Sequence, residues 1–99
     1  MKPSTDREAI SLIIDGLIER GCTPTVARDG ENDDLDYNDK DEALDWLTSC
    51  DESGLFVELP DGEESFIYFV LGNSPEEVVC DHSINLEEYI DPIVMPWWE

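Results

Sequence analysis

Positive charge is what this sequence lacks: its 99 residues hold 5 Lys or Arg against 26 Asp or Glu, a formal net charge of −21 at pH 7. DNA, RNA and anionic membranes are bound through Lys and Arg, so this balance argues against direct nucleic-acid or membrane binding. Cysteine is also scarce. Cys22, Cys50 and Cys80 are odd in number and lack a C-x-x-C pair, which argues against a disulfide framework. With His82 as the single histidine, those four residues contain only one close pair, so the spacing supports no zinc site. The longest apolar run, Phe66 to Leu71, falls far short of the roughly 20 residues that cross a bilayer. Met1 to Arg7 has no apolar stretch of the signal-peptide kind, and the expectation is a reduced, cytoplasmic protein. Gly54, Gly62 and Gly72 stand alone, each as a turn residue, so no phosphate-cradling glycine loop is present.

What is present is 40% apolar residues, enough to bury a core in one small acidic domain spanning 1–99. The charge is uneven. Residues 1–40 carry 10 acids and all 5 bases, whereas residues 41–99 carry 16 acids and no Lys or Arg. Most carboxylates of the second part therefore repel one another. That opposes folding, favours solubility and speeds encounter with a positive partner.

Thr5-Asp6-Arg7-Glu8 has capping-box spacing, and Ile10, Ile13, Ile14, Leu17 and Ile18 follow at helical intervals up to Gly21, which predicts a helix over 6–20. Gly16 inside it costs about 1 kcal/mol against alanine and points to a close neighbour. Cys22 to Arg28 is a candidate edge strand, since Pro24 cannot donate to a central ladder. Residues 29–41 read as a long acidic loop around Leu35 and Tyr37. Asp39 and Glu42 again have capping spacing, before a helix over about 40–49 with Ala43, Leu44, Leu47 and Cys50 on one stripe. Leu55–Leu59, the Pro60-Asp61-Gly62 turn and Ser65–Leu71 form a hairpin, whose second arm is apolar on both faces, as in a central strand covered at least partly on each side. Gly72–Pro75 turns the chain into a third strand over 76–81. Asn85 and Glu88 then have the spacing to cap a short helix interrupted at Pro92. The expected fold is α+β: a three-stranded antiparallel β-meander, with the extra edge strand as an option, packed against two N-terminal helices and followed by a short C-terminal helix.

No constellation compels catalysis. Cys80-Asp81-His82-Ser83 gathers nucleophile and base within four residues, but such sites are ordinarily assembled from distant parts of a chain. Asp34, Asp36 and Asn38 match the first positions of a calcium loop. The register then fails at Asp39, where glycine is needed, and at Asp45, where a bidentate Glu is needed. Carboxylate pairs recur throughout, so none is singled out as an acid/base couple. The reading is a non-enzyme with no catalytic residues, no metal and no cofactor. Trp97 and Trp98 are expected to pack, Trp98 being the more exposed of the two.

The partner implied is a basic protein, foremost a nucleic-acid-binding enzyme whose cationic site is occupied by carboxylates spaced like backbone phosphates. In size and acidity, though in no specific motif, the chain resembles the inhibitors that phages and plasmids encode against restriction, CRISPR or repair nucleases. The predicted contact residues are Asp33, Asp34, Asp36, Asp39 and Asp41 of the acidic loop, Glu63 and Glu64 of the hairpin, and Tyr37 and Trp98 as aromatic anchors. Two alternatives share the composition: an immunity or antitoxin protein that neutralises one cognate basic toxin, with Trp46 among its anchors, and a protein whose acidity is an adaptation to high salt.

Overall fold

Thr5 starts the first helix: its hydroxyl accepts from the Glu8 amide at 3.0 Å, while the Glu8 carboxylate returns one residue further than a strict capping box, to the Ser4 amide at 2.8 Å. This helix, α1 (Asp6–Glu19), leads into strands β1 (Thr23–Arg28) and β2 (Asp34–Asp36), then helix α2 (Lys40–Leu47). Strands β3 (Glu52–Glu58), β4 (Glu64–Val70) and β5 (Val79–His82) follow, and helix α3 (Glu87–Val94) comes last. The structure, a computed structural model, describes residues 2–98. Asp39 caps α2 by accepting from the Glu42 amide at 3.1 Å, as its spacing predicts.

The strands form one antiparallel sheet in the order β2-β1-β3-β4-β5. This corrects the expected three-stranded meander with two N-terminal helices. The class is α+β, but the sheet has five strands, and only α1 is N-terminal, because β1 and β2 precede α2. β1 is an inner strand between β2 and β3, and Pro24 is tolerated there because the ladder shifts register between Pro24 and Val26, a bulge that needs no donor. Within the supposed acidic loop, Leu35 pairs with Ala27 and Tyr37 N–H donates to Thr25 O at 3.0 Å, which makes 34–36 an edge strand. The last strand is shorter than expected, since Pro75–Glu77 turns as a 3₁₀ helix before β5. Asn85 does not cap α3; it bonds to the Ser65 hydroxyl, and Pro92 lies inside the helix.

All three helices lie on one face of the sheet. Ile10, Ile13, Ile14 and Leu17 of α1, Leu44 and Leu47 of α2 and Ile90 of α3 join Leu55, Val57, Ile67 and Phe69 in a single buried cluster. Gly16 has the close neighbour that its position implies: a Cβ there would lie 2.6 Å from Ile93 Cδ1 of α3. Ile18, counted in the helical stripe, is instead exposed at the end of α1. Trp97 is buried and Trp98 is 55% exposed. Cys22 is buried, but Cys50 is only half-buried, and Cys80, at the irregular part of β5, is exposed. Burial also raises the Cys22 thiol, with Arg20 as a smaller opposing influence. A thiol reagent at pH 8 should therefore modify Cys80 first and Cys22 only on unfolding, which mass spectrometry of a timed alkylation will show.

Candidate functional site

Strand alternation gives the sheet a second face that no described helix covers. On β3 and β4 the core-facing residues are Ser53, Leu55, Val57, Ser65, Ile67 and Phe69, all buried, so Glu52, Gly54, Phe56, Glu58, Phe66, Tyr68 and Val70 face the other way. The second arm of the hairpin, expected to be covered at least partly on each side, is buried under the helices on one face and half-buried on the other. Its outward aromatics are half-buried by one another. The Phe56 and Phe66 ring centroids lie 4.9 Å apart, Phe66 and Tyr68 stack at 6.4 Å, and the Arg28 guanidinium sits 4.9 Å above Phe56.

Phe66 can lie flat on the sheet because residue 54 is glycine: a Cβ there would come within 2.5 Å of the Phe66 ring. Gly54→Ala should therefore displace the ring and cost about 1 to 3 kcal/mol, measured as a fall in the urea midpoint. Beside Gly54 the face opens into a cavity of about 280 Å³ lined by Arg28, Glu52, Phe66 and Tyr68.

Register places the acids around this aromatic centre. Asp34 and Asp36 pair with Arg28 and Val26 at one edge, and Asp81 pairs with Tyr68 at the other. Glu58 stands directly opposite Glu64 at one end, and Glu52 lies at the other. The single cation on the face, Arg28, is neutralised by Asp34 in a two-pronged pair at 2.7 and 3.1 Å. That hydrogen bond, more than the charge itself, holds the Asp34 carboxyl below the ordinary range. Whatever stability the exposed pair adds is present above the unfolded pKa of Asp34 and is lost as pH falls through the lowered value. The Tyr68 phenol is raised, chiefly by its hydrogen bond to Glu52. Three of the four other cations are engaged elsewhere: Arg7 pairs with Asp45 and Lys40 with Asp15, both on the helix side, and Arg20 donates to Gly16 O.

The structure divides the predicted contact residues. Asp34, Asp36 and Glu64 share the open face. Asp33 precedes β2, and its carbonyl accepts from Asp29 N–H and from the Trp46 indole, which makes Trp46 a packing residue. Asp39 is spent on the α2 cap, and Asp41 is exposed in the first turn of that helix, away from the open face. Tyr37 packs against the core beside Lys40 and Asp15, its phenol raised mainly by burial. Glu63 closes the β3–β4 turn, where its carbonyl accepts from Leu59 N–H at 2.7 Å. Trp98 lies beyond β5, against α3.

Sequence reasoning missed Glu52, Glu58, Asp81, Phe56, Phe66 and Tyr68. The strict alternation of Glu52, Gly54, Phe56 and Glu58 carried that signal.

Of the residues in the failed calcium register, Asp34 and Asp36 are extended in β2, Asp39 caps α2 and Asp45 lies within that helix, and among the described residues no group of three or more His, Cys, Asp or Glu is placed to hold a metal ion. His82 Nδ1 lies 2.9 Å from Ser83 O, so its ring is oriented by backbone. No described helix is long and apolar enough to cross a membrane. What the open face offers is an apolar, aromatic centre inside an acidic rim. Comparison with known proteins adds no template: no family model matches the chain, and no curated protein or solved structure matches it.

Proposed function

We propose that this protein is a non-catalytic acidic inhibitor that lays its open sheet face on the basic site of a nucleic-acid-binding enzyme, its carboxylates standing in for phosphates. The observation that carries this reading is the acid-rimmed aromatic face, and within it the Glu58–Glu64 pair. Like charges directly opposite on neighbouring strands destabilise a sheet, so the fold gains nothing from them. A cationic partner turns that cost into attraction. Carboxylates two residues apart on a strand, such as Asp34 and Asp36, are separated by roughly 6 to 7 Å, and those on adjacent strands by about 5 Å. One strand of duplex DNA carries a charge every 3.4 Å or so of axis and winds around that axis, so successive phosphates stand further apart than the rise, and such a lattice can meet the phosphate-binding groups of a cleft. The aromatic centre supplies the apolar and cation–π contacts that a field of carboxylates lacks.

The test is capture from a bacterial lysate with the protein as bait, elution by a salt gradient and identification by mass spectrometry. A basic nucleic-acid enzyme released steeply by salt and displaced by duplex DNA supports the proposal. Retention of one basic protein that DNA does not displace replaces it with the immunity reading, and no retention at low salt overturns both.

A further inference from the structure

On the side of the sheet away from β2, strand β5 has β4 as its only neighbour among the described residues, so its outer edge carries backbone groups that no described strand pairs. Next to that edge runs a groove of about 440 Å³. Its apolar lining comes from Val79, Ile90, Val94 and the 55%-exposed Trp98, and its charged lining from Glu76, Glu77, Asp81 and Asp91, with no Lys or Arg among the lining residues.

The ladder shows which way the edge points. Ser83 N–H donates to Phe66 O, so the next pair inward, Ile67 with His82, is a non-bonded pair and the His82 N–H turns away from β4. That outward N–H is held by the Asp81 side chain, whose Oδ1 accepts it at 2.8 Å. A carboxylate on its own strand is a replaceable stand-in for the carbonyl of a further strand.

From this we infer that the β5 edge and its groove form a second docking site, which receives an extended, lysine- or arginine-bearing segment of a partner protein as a sixth strand. The incoming carbonyl takes the His82 N–H. The released Asp81 carboxylate joins Glu76, Glu77 and Asp91 in pairing the segment's cations, while alternate apolar side chains rest on Val79, Val94 and Trp98. Charge selects the occupant: a second copy of this chain would bring its own excess of carboxylates into an acidic groove. The inference concerns an edge and a groove apart from the Phe56–Phe66 centre, and it holds whether or not the partner is a nucleic-acid enzyme.

The probe is an acetylated and amidated heptapeptide of alternating lysine and valine, titrated at 150 mM salt into the isotopically labelled full chain and followed by amide and indole NMR shifts. The controls are the same peptide with a central proline, the glutamate-valine analogue and the Trp98→Ala variant. The expected result is saturable shifts at Val79–His82 and at the Trp98 indole, binding at least tenfold weaker for the proline peptide and for Trp98→Ala, and none for the acidic peptide. Shifts scattered over the acidic surface, equal affinity for the proline peptide, or no shift at all would overturn the inference. Because the peptide is tested without any enzyme, failure of the inhibitor reading leaves this outcome separately readable.

Discussion

Phe69→Ala should cost about 3 to 5 kcal/mol, whereas Phe66→Ala, three residues earlier on the same strand, should cost markedly less. Phe69 is wholly buried among the helices, between Ser53 of β3 and Val79 of β5, and its removal leaves a cavity that neighbours on three elements cannot all collapse to fill. A domain of this size has only about 5 to 15 kcal/mol in total, and mutual repulsion within a net charge of −21 lowers its reserve. At a denaturant sensitivity of about 1 to 3 kcal/mol per molar urea, the Phe69→Ala midpoint should fall by more than 1 M. Phe66 is half-buried under other rings on the open face, so its loss removes less surface from water. The contrast tests which face the helices cover. Equal losses at both positions would mean that the outer face is packed too, and would remove the proposed binding surface.

Reversing the rim should separate binding from stability. In the triple variant Asp36→Lys, Glu58→Lys and Glu64→Lys, three charges on one face change sign, and association with a cationic partner should slow by about 10- to 1000-fold at low salt. The salt dependence of binding should flatten with it. The single change Glu58→Lys replaces a repulsive cross-strand pair by an attractive one, so its urea midpoint should hold or rise while partner affinity falls. A control triple on the helix side, Asp41→Lys, Glu42→Lys and Asp45→Lys, changes the net charge equally but leaves the face intact. Equal loss of binding in both triples would show that overall charge, and not the open face, holds the partner. Surface plasmon resonance at several salt concentrations reads the rates, and urea melts read the stability.

Local chemistry was legible in the residues themselves. The Thr5 and Asp39 caps, the apolar stripe of α1, the close approach at Gly16 and the Pro60–Gly62 turn each depend on neighbours within a few positions, and each formed where its spacing placed it. Composition likewise argued against a nucleic-acid ligand, because a chain with five cations offers a phosphate backbone very little. Strand pairing was different. Leu35 and Tyr37 become strand residues only when Ala27 and Thr25 arrive beside them, and Pro24 becomes an inner-strand residue only through a bulge that the ladder creates. Which face of the Ser65–Leu71 segment is dry was also undecided by sequence, because both parities are apolar there. The tertiary structure decided it, since α1, α2 and α3 join at one surface and leave Phe56, Phe66 and Tyr68 to shield one another. The acids of the open face come from β2, β3, β4 and β5, and only the sheet brings them into one field: long-range pairing fixes register, and register fixes which carboxylates stand together.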